Sequence, residues 1–214
     1  MAAIAKSKIT CLLVDIGGVL LTDGWGHASR TLAAEAFGLN PKEMETRHYE
    51  NFYTYEIGKI TIEEYLKRVV FDKRRIFSPN SFMKFMYAQS KPFPRMINLI
   101  TQIKAKYGLK IVVVSNEARE LNAYRIRKFR LDLFVDAFIS SCYVGLRKPD
   151  KDIFRLALDI SQAKPEQIVY IENTSMFVQI AQSMGIQSIL HTDYKSTCAQ
   201  LASFGLKVPK LERE

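Results

Sequence analysis

From residue 94 to residue 190 the chain alternates short β-branched runs with segments of single-helix length, a pattern that few architectures accommodate. In KIVVV (110–114) four β-branched residues follow one another, as in a strand buried on both faces of a parallel sheet. The helix before it, PRMINLITQIKAKYG, sets Ile97, Ile100, Ile103 and Tyr107 on one stripe and stops at Gly108. Beyond it the pattern predicts a helix near 117–129, a short strand at 137–141 and a helix from Pro149 to Ile160. A strand at 167–171 (QIVYI), a helix from Thr174 to Met184 closed by Gly185, and a strand at 187–190 follow. Strands separated by single helices require right-handed crossovers. The expected fold class is therefore α/β, a doubly wound, Rossmann-like parallel sheet, with ITCLLV (9–14) as its first strand.

One interval breaks the alternation. A crossover needs about a dozen residues and a helix, yet roughly ninety-five residues separate Val14 from Ile111. Residues 22–90 read as helical, rich in aromatics, with breaks at Gly38, Gly58 and Pro79. They are expected to form a helical cap inserted into a core made of residues 1–21 and 91–214. No internal repeat is visible, and the final KVPKLERE reads as a frayed tail.

Composition narrows the class. The 214 residues suit one medium domain carrying an insertion. With 48% hydrophobic and 25% charged residues the chain has the balance of a globular protein. No apolar stretch approaches the roughly 20 residues that span a bilayer. The opening MAAIAKSKITCLLVD has lysines before an apolar run, but that run is short, ends in Asp15 and lacks a small-residue cleavage site, so it reads as a buried strand. Cys11, Cys142 and Cys198 share no metal or redox spacing and read as reduced thiols of a cytoplasmic protein. The net charge of +9 gathers in KRVVFDKRR (67–75) and RELNAYRIRKFR (119–130). Such runs are usually solvated helix faces, and they are also compatible with attraction of phosphorylated small molecules. Nothing resembles a nucleic-acid module, and the single Trp offers no stacking platform. The expected partner is a small phosphorylated metabolite, with no nucleic acid and no membrane.

In a doubly wound sheet ligands sit beyond the carboxyl ends of the strands. Four polar groups fall there. Asp15 follows LLV, Ser115 and Asn116 follow IVVV, Lys148 precedes the helix after the third strand, and Glu172 with Asn173 follows VYI. Singly, each is as readily a turn residue or a helix cap. In this order on this sheet, chance explains them poorly.

The segments LLVDIGGVLLTD, VVVSN, SSCYVGLRKPDKDIF and VYIENTSMFVQIAQSMGI resemble, in order, the four motifs of the haloacid dehalogenase-like superfamily. The similarity covers nearly everything except the cap, and is greatest toward sugar-phosphate phosphatases and related hydrolases with a small helical cap. It implies Mg²⁺-dependent hydrolysis of a small organic phosphate ester. Asp15 would be the nucleophile, forming an aspartyl-phosphate that splits hydrolysis into two steps. Two anions must meet, so a hard cation with oxygen ligands is needed. By the resemblance its ligands are the Asp15 carboxylate, the Gly17 carbonyl, Glu172 and Asn173. Ser115 would hydrogen-bond a phosphoryl oxygen and Lys148 would neutralise charge. Main-chain N–H groups around Gly17, Gly18 and Asn116 would complete the substrate cradle.

Two positions depart from the family. Its phosphatases usually carry a second Asp two places after the nucleophile, as proton donor and acceptor; here that residue is Gly17. Such help is worth about 10²–10⁴-fold, so Gly17 by itself favours esters with acidic leaving groups. An Asp is likewise expected where Asn173 stands, and a neutral ligand holds a cation less tightly. The dehalogenases also lack the second Asp, which leaves a dehalogenase as one alternative and a catalytically weak binder of phosphorylated ligands or proteins as another. Trp25, His27, Arg30, Arg47, His48 and Tyr49 lie in the cap without an assigned role, and His191 reads as a surface loop residue.

Overall fold

The computed structural model describes residues 8–207. Apart from Lys207, the expected frayed tail lies outside them.

The first strand, β1 (Cys11–Val14), leads through a turn into four helices: α1 (His27–Phe37), α2 (Pro41–Glu56), α3 (Ile62–Val69) and α4 (Pro79–Ala88). The chain then alternates: α5 (Pro94–Tyr107), β2 (Lys110–Ser115), α6 (Arg119–Lys128), β3 (Ala137–Ser140), the short α7 (Ser141–Val144), α8 (Lys151–Ser161), β4 (Ile168–Glu172), α9 (Ser175–Ser183), β5 (Gln187–Leu190) and α10 (Tyr194–Ser203). The five strands form one all-parallel sheet in the order β3-β2-β1-β4-β5. This is the doubly wound sheet expected from the alternation. Element limits differ from expectation by a residue or two. The helix anticipated from Pro149 begins after Asp150, whose carboxylate caps it by accepting from the Asp152 N–H at 3.1 Å. Helix α10 has no counterpart in the sequence expectation. It buries only Thr197 and Leu201, too narrow an apolar stripe to announce itself.

Successive strand residues point to opposite faces, and the core divides accordingly. Leu12, Val14, Ile111, Val113, Val169 and Ile171 pack toward α5 and α10. Cys11, Leu13, Val112, Val114, Ile168 and Tyr170 pack toward α8 and α9. A third cluster, around Tyr65, Leu66, Phe82 and Met86, fills the four-helix insertion. It takes in Ala118 and Leu121 from around α6, so the insertion rests on the sheet unit through that helix.

The two connections to the insertion run side by side. Thr22 N–H donates to Lys91 O at 2.9 Å and Phe93 N–H to Leu20 O at 2.8 Å. No helix among the described residues is long and apolar enough to cross a membrane. The basic run at 119–130 is not wholly a solvated face. Arg125 is 1% exposed and pairs with Glu117 Oε1 at 2.8 Å, its other donors reaching Thr22 O (2.6 Å) and Asp23 O (3.5 Å).

Candidate active site

The carboxyl ends of β1, β2 and β4 bring Asp15, Ser115 and Glu172 to one edge of the sheet, and the loop before α8 delivers Lys148 from the side. All four are buried. Lys148 Nζ lies 3.0 Å from Asp15 Oδ1 and 2.6 Å from Glu172 Oε2, with the Tyr170 hydroxyl at 3.2 Å and the Phe177 ring beneath it. Asp15 Oδ1 meets that ammonium without an aligned hydrogen-bond donor. Burial pushes the Asp15 carboxyl up to about 6, against the pull of Lys148 and with a further push from Glu172. Burial alone would lower Lys148, but Asp15 and Glu172 outweigh it and hold the ammonium above its ordinary value.

Asp15, Gly17, Ser115, Lys148 and Asn173 line a polar cavity of about 260 Å³, together with Asp23, Glu117 and Thr174. A second cavity, about 140 Å³, lies under the insertion between Trp25, His48, Phe52, Tyr55, Glu56 and Leu121. Asp23, Asn116 and Glu117 border both.

Asn116 does not offer its side chain freely. Its Nδ2 donates to Lys148 O at 2.9 Å and its Oδ1 accepts from Lys148 N–H at 2.8 Å. Gly18 departs further from expectation. Its N–H donates to Leu21 O at 2.7 Å, which removes it from the expected phosphate cradle. It borders a different cavity of about 540 Å³, with Phe93, Arg95, Met96, Asn173 and His191. His191 is accordingly half-buried beside that cavity, its Nδ1 2.7 Å from Thr197 Oγ1, and not a free surface residue. Glycine is required at 18 all the same. Its φ is +71°, and a Cβ there would come within 2.0 Å of Asn173 Nδ2.

Asn173 packs against Gly17 and Glu172. With its amide nitrogen toward them it donates to Gly17 O (3.2 Å) and Glu172 Oε1 (2.8 Å). With its oxygen toward them it completes a cluster of three acceptors. Glu172 Oε2 is already taken by Lys148 and the Tyr170 hydroxyl, and Oε1 accepts from Thr174 N–H at 2.9 Å. Among the described residues no three His, Cys, Asp or Glu side chains group to hold a metal.

In the insertion, Trp25 Nε1 donates to the Tyr65 hydroxyl at 2.9 Å, and that hydroxyl lies 2.8 Å from His48 Nδ1. Burial, with Arg30 nearby, pulls His48 down to about 4, so it is neutral at pH 7. Arg30 is buried and forked onto Glu45. His27 is exposed and also reaches Glu45, while Arg47 pairs with Asp72 and Tyr49 faces outward. Of these cap residues, Trp25 and His48 border the second cavity. Sequence reasoning missed Asp23 and Glu117. The Asp23-Gly24 pair carried only a turn signal, and Glu117 only that of a residue opening a helix.

Comparison with known proteins agrees with this picture. Residues 9–199 match the profile of the haloacid dehalogenase-like hydrolase family. The chain is 24% identical over 206 residues to Bifunctional epoxide hydrolase 2 of Sus scrofa, covering 87% of itself but only 37% of that protein. It is 25% identical over 195 residues to a sesquiterpene phosphatase of Aspergillus oryzae, covering 88% of itself and 93% of the relative. In fold it is similar to a haloacid dehalogenase-like enzyme of Bacteroides thetaiotaomicron, solved in complex with magnesium and inorganic phosphate. There the TM-score is 0.74 at 18% identity, over 88% of this chain and 98% of the other. A profile match over most of the chain, on a sheet of this order, leaves one conclusion: the chain belongs to the haloacid dehalogenase-like hydrolases.

Proposed function

We propose that the protein hydrolyses a small organic phosphate ester, with Asp15 as the nucleophile. One observation carries this reading: a fully buried ammonium, Lys148, held between Asp15 and Glu172 at the wall of a polar cavity. Asp15 attacks phosphorus and the ester bond breaks, giving an aspartyl-phosphate; water then attacks that phosphorus and returns the Asp15 carboxylate. Lys148 offsets charge that accumulates as two anions meet, and Ser115 at the end of β2 donates to a phosphoryl oxygen. The leaving group lies in the smaller cavity under the insertion, which favours a compact, partly apolar alcohol.

The oxygen donors suit a hard cation. Around Mg²⁺, ligand oxygens at about 2.1 Å stand roughly 3 Å from one another, close to the 3.2 and 2.8 Å that separate the Asn173 amide from Gly17 O and Glu172 Oε1. Asp15, the Gly17 carbonyl, Glu172 through Oε1 and Asn173 would hold it. Bound there, the cation would supply charge neutralisation between carboxylate and phosphate. A dehalogenase would use the same Asp15 and Lys148 but has no use for this oxygen cluster, which favours the phosphatase reading.

The test is magnesium-dependent release of phosphate from an aryl phosphate. Asp15→Asn should abolish it while leaving the thermal melt near that of the wild type, since the amide keeps the shape and loses the nucleophile. Wild-type turnover in the variant would remove Asp15 from the reaction.

A further inference from the structure

Gly17 leaves the position of the family's usual proton donor empty, but a carboxylate from elsewhere in the chain lies beside it. A Cβ built on Gly17 would lie 3.6 Å from Asp23 Cα and 3.6 Å from Asp23 Oδ1. The carboxylate of Asp23 therefore stands beside the place where a side chain on residue 17 would begin. It also stands at the junction of the two cavities, which share only Asp23, Asn116 and Glu117. If the phosphoryl group occupies one cavity and the leaving group the other, the bridging oxygen passes this junction.

The placement is built into the fold. Arg125, buried against Glu117, donates to Thr22 O and Asp23 O and so pins the backbone on both sides of the peptide that carries Asp23. Gly24, at φ +67°, lets the chain turn directly over that guanidinium, where a Cβ would meet Arg125 Nη1 at 2.8 Å. Tyr55 borders the second cavity but not the polar one beside Asp15, and the other carboxyl, amide and imidazole groups that line them beside the proposed ligand set are engaged. Glu117 is bound to Arg125, Glu56 to Arg147, Asn116 to Lys148, and His48 Nδ1 to the Tyr65 hydroxyl. Asp23 is exposed, and its carboxylate, unlike its main-chain carbonyl, meets no hydrogen-bond or ion-pair partner among the described residues.

We propose that Asp23 performs the proton transfers that residue 17 cannot. This rests on the phosphohydrolase reading. As Asp15 Oδ bonds to phosphorus, the P–O bond to the alcohol breaks, its electron pair stays on the alcohol oxygen, and the Asp23 carboxyl gives that oxygen its proton. In the second step the Asp23 carboxylate takes a proton from the attacking water, the new P–O bond forms, and the pair of the breaking bond returns to Asp15. Over one cycle the proton that Asp23 gives to the alcohol is replaced by the one it takes from water. Its presence reverses the expectation drawn from Gly17 alone: esters of weakly acidic alcohols are competent substrates.

The experiment measures kcat/KM for phosphate monoesters of graded leaving-group acidity, from nitrophenyl to simple alkyl, with the full chain and magnesium. Wild type should vary little across the series. Asp23→Asn, isosteric at an exposed position and checked by a thermal melt, should lose about 10²–10⁴-fold on alkyl esters. On the nitrophenyl ester its first step should fall by less than about tenfold, because that leaving group departs without a proton. Rapid quench of the variant with nitrophenyl phosphate should then show a burst of nitrophenol and accumulated phosphoenzyme, since the water-activating base is gone. A uniform loss across the series would mark a binding or structural role, and no loss would mark none; either result overturns the assignment. Absence of phosphate release from every ester by the wild type would instead overturn the phosphohydrolase reading, and this inference with it.

Discussion

Asn116 and Lys148 exchange two hydrogen bonds, side-chain amide to main chain in both directions, at 2.9 and 2.8 Å. The pair ties the end of β2 to the loop before α8, 32 residues away. Among the described residues no other hydrogen bond on the Lys148 backbone holds the ammonium's stem in register with Asp15. Asn116→Ala strips one partner from each of two partly buried groups, which costs about 1–3 kcal/mol. Chemical denaturation should show that loss, and phosphate release should fall further than the stability change explains. Unchanged activity would mean that the clamp is not what positions Lys148.

Gly17 and Gly18 should respond oppositely to a methyl group. At Gly18 the positive φ and the 2.0 Å approach to Asn173 Nδ2 leave no room, so Gly18→Ala should cost about 1–3 kcal/mol and displace Asn173. At Gly17 φ lies outside the left-handed region and the nearest atoms are at 3.6 Å, an ordinary contact. Gly17→Ala should therefore fall within about 0.5 kcal/mol of wild type. Paired melts of the two variants check this, and equal melting temperatures would contradict it.

Asn173→Asp should make stability depend on the cation. A carboxylate facing Glu172 Oε1 at 2.8 Å and the Gly17 carbonyl at 3.2 Å replaces one hydrogen-bonding arrangement by three acceptors. In chelator the variant should melt below wild type. Added magnesium should raise its melting temperature by more than it raises that of wild type, by linkage to the folded state. An equal shift in both proteins would remove Asn173 from the ligand set.

His48 should make the protein acid-sensitive. Its folded pKa, about 4, lies below the ordinary 6.5 because burial disfavours the cation and Arg30 opposes it, with Glu45 acting the other way. The unfolded chain therefore binds more protons between those values, so stability is full above pH 6.5 and falls as pH drops toward 4. The full difference is roughly 3 kcal/mol. His48→Gln still offers the Tyr65 hydroxyl an acceptor but does not titrate, so its stability should fall less between pH 7 and pH 4.5. Urea midpoints across that range decide the point, and parallel losses in the two proteins would clear His48 of the effect.

The sheet and three of its polar ends were readable in the chain because both follow local rules. A β-branched run between two helices is a buried parallel strand, and in such a sheet every carboxyl end faces the same edge. Asp15, Ser115 and Glu172 therefore converge whatever the details, and Lys148 reaches them from the loop beside α8. The insertion too was visible, as an interval too long for a crossover. What local rules do not specify is how that insertion docks. Arg125 holds Thr22 from 103 residues away, Trp25 and His48 meet on one Tyr65 hydroxyl, and Asp23 comes to rest beside Gly17 with its main chain held by Arg125 of α6. Gly18 shows the same limit at short range. Read as a cradle residue, it spends its N–H on Leu21 and yields its side-chain space to Asn173, a choice made by the closed turn after β1. Periodicity and strand order depend on neighbours along the chain. The pairing of partners from β1, the insertion and α6 depends on which surfaces bury one another, and that is settled only when the whole core packs.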